Sequence, residues 1–101
     1  NLSAREIDDD LVECPGLLET ATIGMPDERL GERICTFAVA RDEHEPTLKE
    51  ITDYLESQHV QKRLWPERVE YITEIPKTPM GKVKRFELAE ILKERMANDP
   101  K

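Results

Sequence analysis

The sequence predicts an α+β domain: a small three-stranded mixed sheet covered by about three main helices, in the order α-β-β-α-β-α. Three observations lead there. Ser3-Ala4-Arg5-Glu6 and Thr47-Leu48-Lys49-Glu50 have the form of capping boxes, each opening an apolar-periodic segment. Residues 34–40 read as a strand, with Cys35, Phe37 and Val39 on one face. Leu88, Ile91, Leu92 and Met96 recur at helical spacing.

Taken in order, the Ser3 hydroxyl can accept from the Glu6 N–H, while Leu2 and Ile7 fall at the positions of a hydrophobic staple. A helix therefore starts near Ala4, with Ile7, Leu11 and Cys14 inward, and Pro15-Gly16 ends it. Residues 17–25 form the first strand and residues 34–40 the second, joined by a hairpin loop at 26–32. Behind the Thr47 box, Ile51, Tyr54 and Leu55 make an apolar stripe. Residues 60–65 are a short basic connection stopped by Pro66, and residues 68–73 form the third strand around Val69, Tyr71 and Ile72. A loop rich in Pro and Lys leads to the last helix, residues 85–97. The domain is expected over residues 1–97, with a frayed tail at 98–101.

Composition limits what such a domain can do. With 101 residues there is room for one domain. The 22 acidic and 15 basic residues give a net charge of −7, which argues against nonspecific nucleic-acid binding. No apolar stretch approaches the roughly 18 residues of a membrane span, and no signal or transit segment opens the chain. It begins with Asn, and is expected to be a piece of a longer polypeptide. Cys14 and Cys35 form no C-x-x-C pair, and His44 and His59 have no ligand spacing to them, so no metal site is expected. Both thiols read as reduced packing residues in a reducing, cytoplasmic setting.

The charge is uneven. Residues 1–50 carry 13 acids against 5 bases, and residues 51–101 carry 9 against 10. Between Glu74 and Glu87 lie Lys77, Lys82, Lys84 and Arg85, with no acid among them. Such a cluster suits an anionic small ligand, or is a solvated loop ahead of a helix. Pro76 and Pro79 stiffen this loop and Gly81 lets it turn, which would present Lys82 from a fixed frame. It is not a phosphate-binding P-loop, which needs Gly in place of Pro76 and Ser or Thr in place of Val83. By residue pattern alone, a Gly-Lys pair in a turn is usually just a turn. Asp27-Glu28-Arg29, Trp65 and His59 read as structural: a solvated hairpin, a packing side chain, and a cap or surface residue.

The run Pro76-Lys77-Thr78-Pro79-Met80-Gly81-Lys82-Val83-Lys84-Arg85 resembles the last signature motif of the adenylate-forming enzymes, which include acyl-CoA synthetases, peptide-synthetase adenylation domains and luciferases. Asn1-Leu2-Ser3-Ala4-Arg5-Glu6-Ile7 resembles the segment after that family's hinge. Gly24-Met25-Pro26-Asp27-Glu28-Arg29-Leu30-Gly31-Glu32 resembles its central hairpin, and residues 62–67 its Lys-x-x-x-Pro-Glu connection. Four segments in the family's order cover nearly the whole chain.

The resemblance implies the mobile C-terminal domain of an acyl-CoA synthetase. In that family ATP, with Mg2+, is attacked by a carboxylate to give acyl-adenylate and pyrophosphate; the small domain then rotates and CoA takes the acyl group. Lys82 matches the lysine of the first step, with Gly81 and Asn1 near the nucleotide. Ser57 stands where acetyl-CoA synthetases place an Arg on a CoA phosphate, which leaves Lys62, Arg63 and Lys84 as candidates for CoA. The motif lysine is a site of reversible acetylation in this family, which implies an acetyltransferase and a deacetylase as partners beside the large N-terminal domain. The isolated fragment would be inactive. Two other readings stay open: the lid of a peptide-synthetase or aryl-acid adenylation domain, and a non-catalytic binding or regulatory module.

Overall fold

A computed structural model describes residues 4–27 and 31–98. Helix α1 is Ala4–Asp10, strands β1 and β2 are Leu17–Asp27 and Gly31–Ala40, and α2 is Leu48–Ser57. A 3-10 turn, Lys62–Leu64, precedes β3, Arg68–Tyr71, and α3, Arg85–Ala97, closes the fold. The strands lie in the order β1-β2-β3. β1 and β2 are antiparallel, and β2 and β3 are parallel, so the sheet is mixed. The α-β-β-α-β-α order predicted from the sequence stands.

The sheet separates two cores. On one face Ile7 and Leu11 meet Leu17, Ala38, Ile51, Leu55 and Leu64, so α1, α2 and the 3-10 turn share that side. On the other, Ala21, Ile23, Met25, Cys35 and Phe37 pack against Ile75, Leu88 and Leu92 of the α3 side. One extra residue in β1 makes this possible. Leu17 pairs with Ala40 but Glu19 pairs with Val39. That bulge reverses the in-out alternation, turning Leu17 to the first core and Ala21, Ile23 and Met25 to the second.

Three boundaries differ from expectation, one being β3, which ends at Tyr71 and not at residue 73. α1 stops at Asp10 instead of reaching Pro15. Leu11 and Cys14 are buried as expected, but in turns, with Leu11 N–H donating to the Asp8 carbonyl and Cys14 N–H to that of Leu11. The strands also run into the expected loop, pairing Pro26 with Glu32 and Asp27 with Gly31. The Ser3 capping box and Leu2 staple lie outside the described residues, as do Arg29 and residues 99–101.

Other local signals are realised. Glu50 N–H donates to Thr47 Oγ1 at 3.1 Å, and Thr47 N–H donates to Glu50 Oε1 at 2.8 Å, completing the capping box. α2 ends in a Schellman motif: His59 is left-handed at φ 63°, its N–H reaches the Glu56 carbonyl, and Val60 N–H reaches that of Leu55. Trp65 packs against the first core and donates Nε1–H to the Val60 carbonyl at 3.0 Å. Cys14 and Cys35 are both free and buried. Among the described residues no helix is long and apolar enough to cross a membrane.

Candidate functional site

The segment read as a stiff loop folds as a small hairpin. Lys77 pairs with Val83 in an isolated antiparallel bridge. Thr78 N–H donates to the Lys82 carbonyl at 2.8 Å, Gly81 N–H to the Thr78 carbonyl at 2.8 Å, and Lys84 N–H to the Pro76 carbonyl at 2.9 Å. The tip is Pro79-Met80-Gly81, with Gly81 at φ 89°. Each residue suits its place: Pro for the second position of a tight turn, and Gly for the left-handed residue that re-enters the strand. Thr78 adds its side chain, whose Oγ1 accepts the Lys82 N–H at 3.2 Å. The turn is therefore pinned from both sides of Lys82.

The three lysines of the hairpin differ in their surroundings. Lys77 is paired with Glu19 of β1. Lys84 Nζ lies 3.3 Å from Glu87 Oε2, one helical turn on. Lys82 is exposed, and among the described residues no carboxylate lies in ion-pair range of its ammonium. Met80 beside it is 89% exposed, so the tip is convex. The hairpin offers an exposed ammonium on a turn closed by main-chain hydrogen bonds.

The base of the hairpin is tied to β1 through Lys77 and Arg85, and Asp8 of α1 joins the same strand. Asp8 of α1 receives three donors from β1: Thr20 Oγ1 at 3.3 Å, Thr22 N–H at 3.2 Å and Thr22 Oγ1 at 2.7 Å. Thr22 Oγ1 also lies 2.8 Å from Thr36 Oγ1, and both hydroxyls belong to fully buried residues. Arg85, the first residue of α3, donates to the Thr22 carbonyl and brings a second guanidinium nitrogen to 4.0 Å from Asp8 Oδ2. The cation beside Glu87 is Lys84, which leaves Arg85 to face Asp8. No local pattern could have revealed these ties, because their partners lie far apart in the chain.

Lys62 and Arg63 are not brought to the hairpin. They sit exposed on the 3-10 turn, on the other face of the sheet, with Arg63 Nε–H donating to Gln61 Oε1 at 2.8 Å. There they line a cleft of about 540 Å3 with Ile34, Trp65, Pro66 and Glu67. Glu67 fixes this segment, since Ile34 N–H donates to its Oε1 at 3.0 Å. Asn1 lies outside the described residues. Burial, reinforced by Glu70, pushes the Cys35 thiol up to about 12, so it is an inert core residue and not a nucleophile.

The fold is thus an α+β module whose motif hairpin carries, among the described residues, one lysine outside any ion pair. The chain belongs to the family of the AMP-binding enzyme C-terminal domain, whose model matches residues 6–82. These are the C-terminal domains of adenylate-forming enzymes. The chain is 33% identical to the medium-chain fatty-acid–CoA ligase of Escherichia coli over 100 residues, 98% of this chain and 18% of that protein. It is 34% identical to the 2,3-dihydroxybenzoate-AMP ligase of Bacillus subtilis over 95 residues, 94% of this chain and 17% of that one. A crystal structure of a Brucella canis acyl-CoA synthetase superposes with a TM-score of 0.80 at 26% identity, covering 92% of this chain and 18% of that chain. The chain thus spans about a fifth of the length of the relatives it matches.

Proposed function

We propose that residues 1–97 form the mobile C-terminal lid of an acyl-CoA synthetase, with Lys82 as the lysine of the adenylation half-reaction. One observation carries the reading: of the three lysines on the motif hairpin, Lys82 is the one without an ionic partner among the described residues, and it stands on the most constrained turn. As the carboxylate attacks the ATP α-phosphate, negative charge builds on the phosphoryl oxygens and on the departing pyrophosphate. A positioned ammonium stabilises that charge, and its rigid mount removes reorganisation from the step. Gly81 gives the close backbone approach, and Asn1 takes a place near the nucleotide. After pyrophosphate leaves, the lid rotates and CoA attacks the adenylate. Lys62 and Arg63 then meet CoA phosphates, and Lys84 is the remaining candidate for them.

ATP, CoA and a carboxylic acid are the substrates on this reading, and the large N-terminal domain holds the acyl pocket. Mg2+ would arrive with ATP. Among the described residues no group of three or more His, Cys, Asp or Glu side chains could hold it. The setting is cytoplasmic, and Lys82 is the target of a protein acetyltransferase and a deacetylase.

The test is Lys82→Ala in the full-length polypeptide. Pyrophosphate exchange should fall in kcat by about 10²-fold or more, as for the loss of one positioned transition-state charge. Thioester formation from supplied acyl-adenylate should persist. Equal damage to both half-reactions would give Lys82 a structural role instead. Transfer to a carrier protein in preference to CoA would favour the peptide-synthetase or aryl-acid reading.

A further inference from the structure

We infer that Arg85 and Asp8 are positioning residues for Lys82, acting across the edge of β1. The inference rests on the adenylation role proposed for Lys82. It starts from an anomaly of charge. α3 opens with Lys84 as its N-cap and Arg85 as its first residue, and Lys84 makes no side-chain cap. Cations at a helix N-terminus oppose the helix dipole, and the orphan N–H groups there want an acceptor. A helix start that breaks both rules needs another reason for its residues.

The contacts of Arg85 supply it. β1 is an edge strand, and Thr22 turns its main-chain groups outward from the sheet. Asp8 takes the Thr22 N–H, and Arg85 takes the Thr22 carbonyl. The guanidinium also approaches the Asp8 carboxyl at 4.0 Å. Arg85 thus passes from the α3 side of the sheet around its edge to α1, on the opposite side. It follows directly on Lys84, whose N–H closes the hairpin against Pro76. The other leg is held by Lys77 on Glu19, again on β1. Two side-chain ties therefore fix the base of the hairpin to one strand. Without them the hairpin would open more often and Lys82 would lose its aim, and a misplacement of about 1 Å can cost on the order of 10²-fold in rate.

The experiment uses Arg85→Gln and Asp8→Asn in the full-length polypeptide. Each should lower the kcat of pyrophosphate exchange by about tenfold or more, with little change in KM, and leave thioester formation from supplied acyl-adenylate within about twofold. In a Lys82→Ala background neither should add a further loss, because the residue being aimed is gone. Arg85→Lys, which keeps a donor for the Thr22 carbonyl, should recover part of the rate. Amide hydrogen exchange gives a readout independent of chemistry: Thr78 and Lys84 should exchange about tenfold faster in Arg85→Gln, with α2 unchanged. Equal loss in both half-reactions, full additivity with Lys82→Ala, or unchanged exchange at Thr78 and Lys84 would overturn the inference. Should Lys82→Ala alone spare adenylation, the lid reading fails, and exchange at these two amides decides whether Arg85 and Asp8 hold the hairpin.

Discussion

Gly81 offers a clean way to separate backbone geometry from side-chain chemistry at the lysine hairpin. Its φ of 89° lies in the left-handed region, yet a Cβ built on it would meet nothing within 4 Å. A substitution there creates no clash, and its cost is confined to the backbone. For an L-residue that cost is about 1–2 kcal/mol. It falls on a surface turn held by a few hydrogen bonds, so it shifts a local equilibrium and leaves the two cores intact. The closed hairpin should lose population against open forms by a factor of roughly 5–30. The kcat of adenylation in the full-length polypeptide should fall by up to that factor, with almost no change in melting temperature. Asn tolerates the left-handed region better than Ala, and β-branched Val tolerates it least. The expected order of activity is Gly, Asn, Ala, Val. An order that followed side-chain volume, with Ala above Asn, would point to crowding against a partner surface and refute the backbone account. Wild-type adenylation by Gly81→Val would remove the hairpin from the mechanism altogether. Gly16 is the internal contrast: at φ 87° its added Cβ would meet Pro46 Cγ at 2.6 Å, so Gly16→Ala should lower the melting temperature of the whole domain.

Three further outcomes are expected. Asp8 can only accept from Thr22, so Thr22 Oγ1 donates to it and Thr36 donates in turn to Thr22. Thr22→Val then leaves a buried hydroxyl without a partner and should cost about 2–4 kcal/mol by urea denaturation, while Thr22→Val with Thr36→Val should cost less than the two single changes summed; strict additivity would mean that the hydroxyls do not interact. Cys35 is raised in the folded state from 9.0 to about 12, so its contribution is fully present below pH 9 and is lost as pH rises towards 12. Stability should decline across that window by at most about 1.4 kcal/mol per pH unit from this thiol, and Cys35→Ala should flatten the decline. Treatment of the full-length polypeptide with a protein acetyltransferase should modify Lys82 and stop adenylation; mass spectrometry showing modification only at Lys77 or Lys84, or full activity with Lys82 acetylated, would defeat that prediction.

The fold was legible wherever the signal was local. The Thr47 box needs only four residues, and its two hydrogen bonds form as read. The alternation at Cys35, Phe37 and Val39 puts all three against the second core. Local reading failed where a distant partner set the outcome. Nothing in Leu17-Leu18-Glu19 marks a bulge, which arises because the start of β1 serves one core and its middle the other. α1 stops short of Pro15 even though Leu11 and Cys14 keep helical spacing, because tight turns bury both without continuing the helix. Two prolines and a glycine marked the turn, but it read as a stiff loop and its Lys77–Val83 pairing was not foreseen. Nor were its anchors, since Asp8 and Arg85 reach Thr22 from 14 and 63 residues away.

The positions of the two basic groups constrain any mechanism in which both serve one substrate site. Leu64, beside Lys62 and Arg63, is buried in the core shared by α1 and α2. Val83, beside Lys82, packs against the core on the far side of the sheet. Along β2 the two ends are separate as well: the Lys62 segment is fixed at Ile34, whereas Glu19, which holds Lys77, pairs with Val39. Five residues of strand span about 17 Å at ~3.4 Å each. The domain has cores on both faces of its sheet, and the sheet cannot fold to bring these groups together without dismantling them. A lid that used Lys82 in adenylation and Lys62 or Arg63 on CoA would therefore have to turn as a rigid body between the steps. Asp8, on α1 itself, ties that first helix to β1, the strand whose Glu19 holds Lys77.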